Sequence, residues 1–322
     1  MSSFDDVQTV WMSGEMLPWA KANVHVSAHA LHYGSGVFEG IRCYATPEGP
    51  AVFRLEDHID RLFASARVHG IEIPFTRAAM AAAVCQTIEA NHFTSCYVRP
   101  IVFMGSATLS LNPRSCPVEA AVIAFPWPKM LGEDAFDRGV RITVSPWRKF
   151  SPAMMPTTAK ACGQYVNSIL AARDAADRGY DEALLLDAAG GVAEGAGENL
   201  FVVLDGVVQT NDNRASILMG MTRDAVIEIA GDLGYPVETR ALSLEDLLVA
   251  DEAFFTGTAA EVTPIAEVDG TKIGRGRPGE ITREIQRAFF KATSSESKRY
   301  RKWLHFVDEC NFAGAYSAMP CI

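Results

Sequence analysis

The sequence predicts an α+β protein built as two mixed α/β domains joined by a short linker. Three observations lead to this. The 322 residues exceed one small core and suit two domains of about 150 residues each. Runs of period two alternate with runs of helical period along the chain. One irregular stretch, "PWPKMLGEDAFDRG", carries two prolines, two glycines and mixed charge near the middle; such a stretch reads as a connection. The expected division is residues 1–127, a linker at 128–135, a second domain at 136–309, and a tail at 310–322 for which the sequence offers no account.

In the first half, "PAVFRL" is a strand. "LEDHIDRLFASARVHG" is a helix, with Ile59, Leu62, Phe63 and Ala66 on one face and Gly70 as its stop. "TRAAMAAAVCQTIEANH" is a second helix with Thr76 as N-cap. "SCYVRPIVFMG" and "VEAAVIAFPW" are β-rich. Beyond the linker, "VRITVSPW" is a strand and "GQYVNSILAARDAADRGY" a helix closing at Gly179. "DEALLLD" and "ENLFVVLDGVVQT" are strands, the latter with a turn at Asp205-Gly206. "MTRDAVIEIAGDLG" is a helix, "EAFFTGTAAEVTPI" a strand entering a glycine turn, and "GEITREIQRAFFKA" the last helix.

Composition narrows the function. Apolar residues make up 48% and charged residues 21%, an ordinary globular mixture, and the formal net charge is -10. An acidic surface argues against nucleic acid as partner and against an anionic membrane. No run is long and apolar enough to span a bilayer, and the first residues lack the apolar core of a secretory leader. A cytoplasmic protein is expected. The seven cysteines are scattered and never form a C-x-x-C pair, which favours free thiols over disulfides or a zinc site.

Four features carry candidate chemistry. In "MMPTTAKACGQYVNS" one charged residue, Lys160, sits among Thr157, Thr158, Ala159, Ala161, Cys162 and Gly163, small side chains that permit close approach. A surface lysine before a helix is the plain alternative. In "GGVAEGAGENLF", Glu194 and Glu198 lie among glycines, expected on one face of an extended segment, where a carboxylate can meet a flat ligand edge-on; a solvated hairpin is the alternative. "LMGMTRDAVIEIA" puts Gly220 and Thr222 at a helix N-terminus, an anion-binding place, though Thr222 can equally be a cap. "FFTGTAAE" places Thr256 and Thr258 around Gly257, either a ligand-binding turn or a simple strand end. Arg61, on its helix away from the apolar face, reads from spacing as a surface partner of Asp57, with a two-point phosphate ligand as the alternative.

An amine among small residues, a carboxylate between glycines and two phosphate-type turns are the parts of a pyridoxal-phosphate site. With "HALHYGSGVFEGIRCY", "YVRPIVFMG", "AKACGQYVNS", "EGAGENLF", "GMTRDA" and "TGTAAEVTPI" in this order, the chain resembles the branched-chain-amino-acid aminotransferases, of the fold-type IV (D-amino-acid-aminotransferase-like) architecture. The resemblance covers nearly the whole chain. It implies transamination of leucine, isoleucine and valine with 2-oxoglutarate in two half-reactions. Lys160, in the second domain, would carry pyridoxal 5'-phosphate as a Schiff base and move the Cα proton. Glu194 would face the ring nitrogen and Tyr165 the ring oxygen. Arg61, Leu218, Gly220, Met221, Thr222 and Thr258 would hold the cofactor, chiefly its phosphate, which reverses the surface reading of Arg61. Thr258, Ala259 and Tyr97 would take the substrate α-carboxylate and Arg99 the distal carboxylate of glutamate. Phe38, Gly40 and Trp127 would line the side-chain pocket, with Tyr33, Leu109 and Leu111 supplied by a neighbouring subunit of at least a dimer. Met130 departs from the tyrosine common among bacterial relatives and would alter specificity. Same-fold rivals are D-amino-acid aminotransferases, aminodeoxychorismate lyases and (R)-amine transaminases. A non-catalytic binding homologue would lack the lysine or the carboxylate, and this chain has both.

Overall fold

In the computed structural model, residues 4–127, 131–132 and 134–310 are described. Their contacts divide into two compact units. The first comprises the described residues of Met1–Trp127, Ala159–Gln164 and Ala292–Ile322; the second comprises those of Pro128–Thr158 and Tyr165–Lys291. The grouping follows contacts rather than chain order. The short segment Ala159–Gln164, with Lys160, belongs to the first unit, and so does the chain from Ala292 onward.

The first unit is an antiparallel sheet with helices packed on it. Its strands are β1 (Thr9–Met12), β2 (Glu15–Pro18), β3 (Gly36–Phe38), β4 (Ile41–Thr46), β5 (Gly49–Phe53), β6 (Cys96–Met104) and β7 (Val118–Phe125), with a C-terminal strand at Leu304–Phe306. From one edge the order is the C-terminal strand, β5, β4, β6, β7, β1 and β2, and β3 also pairs with β6. Its helices are α1 (His29–Tyr33), α2 (Leu55–Val68) and α3 (Arg77–Ala90). The apolar faces of α2 and α3, through Ile59, Leu62, Met80, Val84 and Ile88, join Ile41, Val98, Val102 and Val122 of the sheet in one buried core. Thr76 caps α3 as expected, its hydroxyl accepting from Ala79 N–H at 3.1 Å.

One expectation fails here. Cys85 on α3 and Cys310 form a disulfide between positions 225 residues apart, where free thiols were expected. Cys43, Cys96, Cys116 and Cys162 are free; Cys321 lies outside the described residues. Spacing could not reveal the pair, because the fold brings the C-terminal turn Val307–Glu309 against α3.

The second unit holds a mixed sheet. Its strands are β8 (Val140–Val144), β9 (Glu182–Leu186), β10 (Val192–Gly195), β11 (Asn199–Leu204), β12 (Val207–Thr210), β13 (Val237–Thr239), β14 (Glu252–Gly257), β15 (Glu261–Val268) and β16 (Thr271–Lys272). The order is β10, β9, β8, β15, β14, β11, β12, β13, with β16 on β15. The pairs β8–β9, β8–β15 and β12–β13 are parallel. Helices α4 (Ala135–Arg138), α5 (Tyr165–Asp177), α6 (Met221–Asp232), α7 (Leu244–Leu248) and α8 (Glu280–Thr293) complete the set, α8 running to the boundary between the units. Asp205 and Gly206 both have positive φ, 50° and 78°, as a two-residue hairpin turn requires. "EAFFTGTAAEVTPI" is two antiparallel strands around a turn at 258–260 rather than one strand with a turn.

Phe201 on β11 and Phe254 on β14 are fully buried and stack with centroids 5.0 Å apart and planes 4° from parallel. Phe201→Ala removes this stack and opens a cavity, so it is expected to cost about 3–5 kcal/mol. Urea unfolding checks this: the midpoint falls while the slope is preserved.

Candidate active site

In the first unit, Lys160 is held by its backbone. Its carbonyl accepts from Phe38 N–H at 3.0 Å, and its N–H donates to Ser65 Oγ on α2 at 3.0 Å. Ala161 forms an isolated bridge with Val37 on β3. Glycine makes the approach possible. Gly34, at φ 64°, accepts from Gly163 N–H at 3.1 Å, and a Cβ on Gly34 would lie 2.6 Å from Gly163 Cα. The small residues around Lys160 are there because the segment runs against the end of α1.

The Lys160 side chain shares the ring of Phe38 with Arg99. Lys160 Nζ is 5.1 Å from the ring centroid and Arg99 Cζ is 4.6 Å from it. Arg99 also donates to Tyr97 Oη at 3.2 Å, while its Nε is buried with no hydrogen-bond partner. Gly40 must lack a side chain, because a Cβ would collide with the Tyr97 hydroxyl. Trp127 packs on Tyr97 with centroids 4.9 Å apart. The first unit thus gathers Phe38, Gly40, Tyr97, Arg99, Trp127 and Lys160.

Arg61 is not on the surface. Asp57 pairs with Arg54 instead. Arg61 donates from Nε to Glu39 Oε1 at 2.7 Å and from Nη2 to Oε2 at 2.8 Å, a two-point pair. Glu39, fully buried, also bonds His58 Nδ1 at 2.7 Å. Burial opposes the Glu39 charge, but Arg61 and His58 together outweigh it and hold the carboxyl well below the usual range. Burial likewise lowers the pKa of His58. Spacing missed Glu39 and His58. The only sequence signal was His58 three residues before Arg61, which puts both on one side of α2.

Lys160 is the group most relevant to chemistry. Loss of water around it pushes its pKa down, Arg61 adds to this and Arg99 contributes, against partial opposition from Glu39 and Tyr97; the result is about 8 against the ordinary 10.5. An amine with that pKa supplies an appreciable neutral fraction near pH 7.

In the second unit, Glu194 and Glu198 do not share a strand face. Glu194 is on β10, the chain turns at 196–198 with Gly195 N–H donating to Glu198 O at 2.8 Å, and β11 begins at Asn199. Both carboxylates are buried, so the segment is no solvated hairpin. Glu194 Oε1 meets Lys149 Nζ at 2.6 Å, and Oε2 accepts from Leu218 N–H at 3.0 Å and from Asn199 Nδ2 at 3.3 Å. Asn199 also bonds Leu218 O at 2.8 Å and Gly220 N–H at 3.1 Å. It ties the carboxylate to the start of α6, and a Cβ on Gly220 would strike it. Lys149 and Asn199 carried no signal by position; both are known only through Glu194.

Gly220 is the N-cap of α6 and no side chain caps that helix. Thr222 is therefore not the cap; it is buried in the first turn after Met221. An uncapped helix start turns backbone N–H groups toward an anion. Thr256, at the end of β14, buries a hydroxyl with no hydrogen-bond partner, and Thr258 and Ala259 form the half-exposed turn that follows. Tyr165 begins α5. Elsewhere on the first unit, exposed Tyr33 donates to Leu109 O at 2.9 Å, and Leu111 is 82% exposed. Met130 lies outside the described residues.

Residues 36–268 match the family model of amino-transferase class IV. The chain belongs to the class IV aminotransferases. Among curated class IV relatives, the branched-chain-amino-acid aminotransferase of Escherichia coli (strain K12) is 43% identical over 301 residues, covering 93% of this chain and 97% of that protein. A crystal structure of the Escherichia coli enzyme superposes with TM-score 0.92 at 43% identity, covering 94% of this chain and 99% of that one. The branched-chain amino acid aminotransferase of Thermobaculum terrenum, in its PLP-form (holo-form), gives TM-score 0.87 at 34% identity, with 93% and 98% covered.

The Lys160 pKa carries a stability consequence for the cofactor-free protein. Between about pH 8 and 10.5 the unfolded chain binds more protons at this site than the folded one, so stability rises with pH across that window; below it the folded state bears the full cost of the buried charge. Lys160→Met is expected to be more stable than the parent at pH 7, with the advantage shrinking between pH 8 and 10.5. Urea midpoints at pH 7 and 10 measure this.

Proposed function

We propose that this protein is a pyridoxal-phosphate-dependent transaminase of branched-chain L-amino acids, using 2-oxoglutarate as the second substrate. The observation that carries the reading is Lys160, an amine with its pKa near 8, on a glycine-packed segment of a chain so similar to branched-chain enzymes over nearly its full length. Pyridoxal phosphate suits the residues present: the uncapped start of α6, the partnerless Thr256 hydroxyl and the Glu194 carboxylate, whose Oε1 pairs with Lys149, are places where a phosphate and a protonated ring nitrogen find partners.

When bound, pyridoxal phosphate supplies the electron sink that makes the substrate Cα–H acidic. Lys160 takes that proton as a neutral amine and returns it on the adjoining carbon, which its lowered pKa permits near neutral pH. Glu194, bonded to Lys149, Asn199 and Leu218 N–H, would face the ring nitrogen, and Tyr165 the ring oxygen. Met221, Thr222 and Thr258 would hold the phosphate, mainly through backbone N–H, together with Arg61, while Leu218 and Gly220, whose N–H groups go to Glu194 and Asn199, would set the cofactor-binding turn in place. Arg61 enters this set by likeness; its Nε and Nη2 are engaged by Glu39. Thr258, Ala259 and Tyr97 bind the α-carboxylate. Phe38, Gly40 and Trp127 surround the aliphatic side chain, and Arg99, with its partnerless buried Nε, meets the distal carboxylate of glutamate. Met130 adjusts that pocket. Tyr33, Leu109 and Leu111, exposed in the single chain, serve a second copy in a homodimer or higher oligomer. Among the described residues no helix is long and apolar enough to cross a membrane; a cytoplasmic location completes the proposal.

The test is the visible spectrum of the cofactor-loaded protein. Addition of L-leucine converts the yellow form to the pyridoxamine form, D-alanine and an (R)-amine do not, and Lys160→Ala slows the conversion by about 10²–10⁴-fold or more. A yellow protein indifferent to L-leucine would remove the substrate assignment. Arg99→Leu is expected to raise KM for 2-oxoglutarate by about tenfold or more through loss of a charge-assisted hydrogen bond, with little change for leucine. Steady-state kinetics on both substrates read the difference.

A further inference from the structure

Cys85, His305 and Cys310 meet in the first unit, and none of them has a role in the proposed reaction. Their three donor atoms, two Sγ and one ring nitrogen, lie within 4.8 Å of one another. Cys85 is fully buried on α3 and Cys310 nearly so beyond the C-terminal turn, while His305 is the middle residue of the strand Leu304–Phe306. On α2, Glu56 Oε1 sits 2.6 Å from His305 Nδ1. The other ring nitrogen, Nε2, is buried and has no hydrogen-bond partner. A carboxylate on one ring nitrogen fixes the proton there and turns the lone pair of the other toward a ligand. A buried polar atom without a partner is costly unless something takes it.

We propose that the reduced chain binds one thiophilic divalent cation, zinc by its chemistry, through Cys85 Sγ, Cys310 Sγ and His305 Nε2. Two thiolates and an imidazole are a ligand set zinc prefers. Its bonds of about 2.3 Å to sulfur and about 2.0 Å to nitrogen need donor atoms roughly 3.5–4 Å apart, within reach of side-chain rotation. Glu56 is the outer-shell carboxylate that orients the imidazole. The fourth position opens on a cavity of about 430 Å³, lined by Glu56, Asp60, Arg77 and Ala81 along with His305 and Cys310, where water or a small anion completes the tetrahedron.

The structure holds the two sulfurs as a disulfide, so reduction precedes binding. A small dithiol supplies two electrons and two protons, closing to its own cyclic disulfide while Cys85 and Cys310 become thiols. The thiols then release two protons to solvent as two metal–sulfur bonds form, and the cation keeps its oxidation state. The same residues are thus a covalent staple when oxidised and a metal staple when reduced, each joining α3 to the C-terminal end of the unit.

The experiment uses the full chain loaded with cofactor, reduced with dithiothreitol, freed of reductant under argon and titrated with CoCl₂. One cobalt per chain is expected, with a thiolate-to-cobalt charge-transfer band and tetrahedral d–d bands that ZnCl₂ abolishes by displacement. Cys310→Ser and His305→Ala weaken binding by at least about tenfold, and Glu56→Gln by about 10–100-fold. The cofactor's visible band and leucine turnover persist in all three, which shows that they fold. A reduced parent with no charge-transfer band, or with one that Cys310→Ser leaves unchanged, overturns the proposal and leaves the pair as a disulfide alone.

Discussion

A lysine amine near two arginines gives up its proton more readily than one in water, and much of the first unit serves that situation. Loss of hydration and the charge of Arg61 lower the Lys160 pKa, with Arg99 adding to them. Arg61 can sit there only because Glu39 takes it in a two-point pair, and Glu39 can be buried only because Arg61 and His58 satisfy it. Removing one member of such a buried set leaves an uncompensated charge at a cost of about 3–5 kcal/mol. The electrostatics of the amine and the packing of α2 on β3 are therefore one arrangement.

The second unit solves a parallel problem with a different set of donors. Glu194 is buried, and a lysine, a backbone N–H and an asparagine all donate to its two oxygens. Asn199 reaches both that carboxylate and the approach to α6, so the position of the acid and the position of the helix start are set together. A glycine at 220 is needed for the same contact.

Local order was legible in the sequence. The apolar face of α2, the Thr76 cap and the Asp205-Gly206 turn follow from period, hydroxyl chemistry and positive φ, all of which act over a few residues. Lys160 and Glu194 stood out because small residues crowd around them. What stayed hidden was long-range. Arg61 reads as a partner of Asp57 by helical spacing, but its partner Glu39 is 22 residues away, and burial makes that pair stronger than an exposed one. The link between Cys85 and Cys310 spans 225 residues. Glu194 and Glu198 are four residues apart, but the chain turns after β10 and puts them outside any common strand. The family's motifs supplied substrate-facing assignments such as Trp127 and Ala259, which no local rule singles out.

The most direct measurement is the titration of Lys160 itself, by NMR of lysine labelled with ¹³C at Cε in the cofactor-free protein, with Lys160→Met to assign the signal. A midpoint near 8 is predicted. A midpoint at the ordinary 10.5 would mean that neither burial nor the arginines act on the amine, and the account of its reactivity would fall.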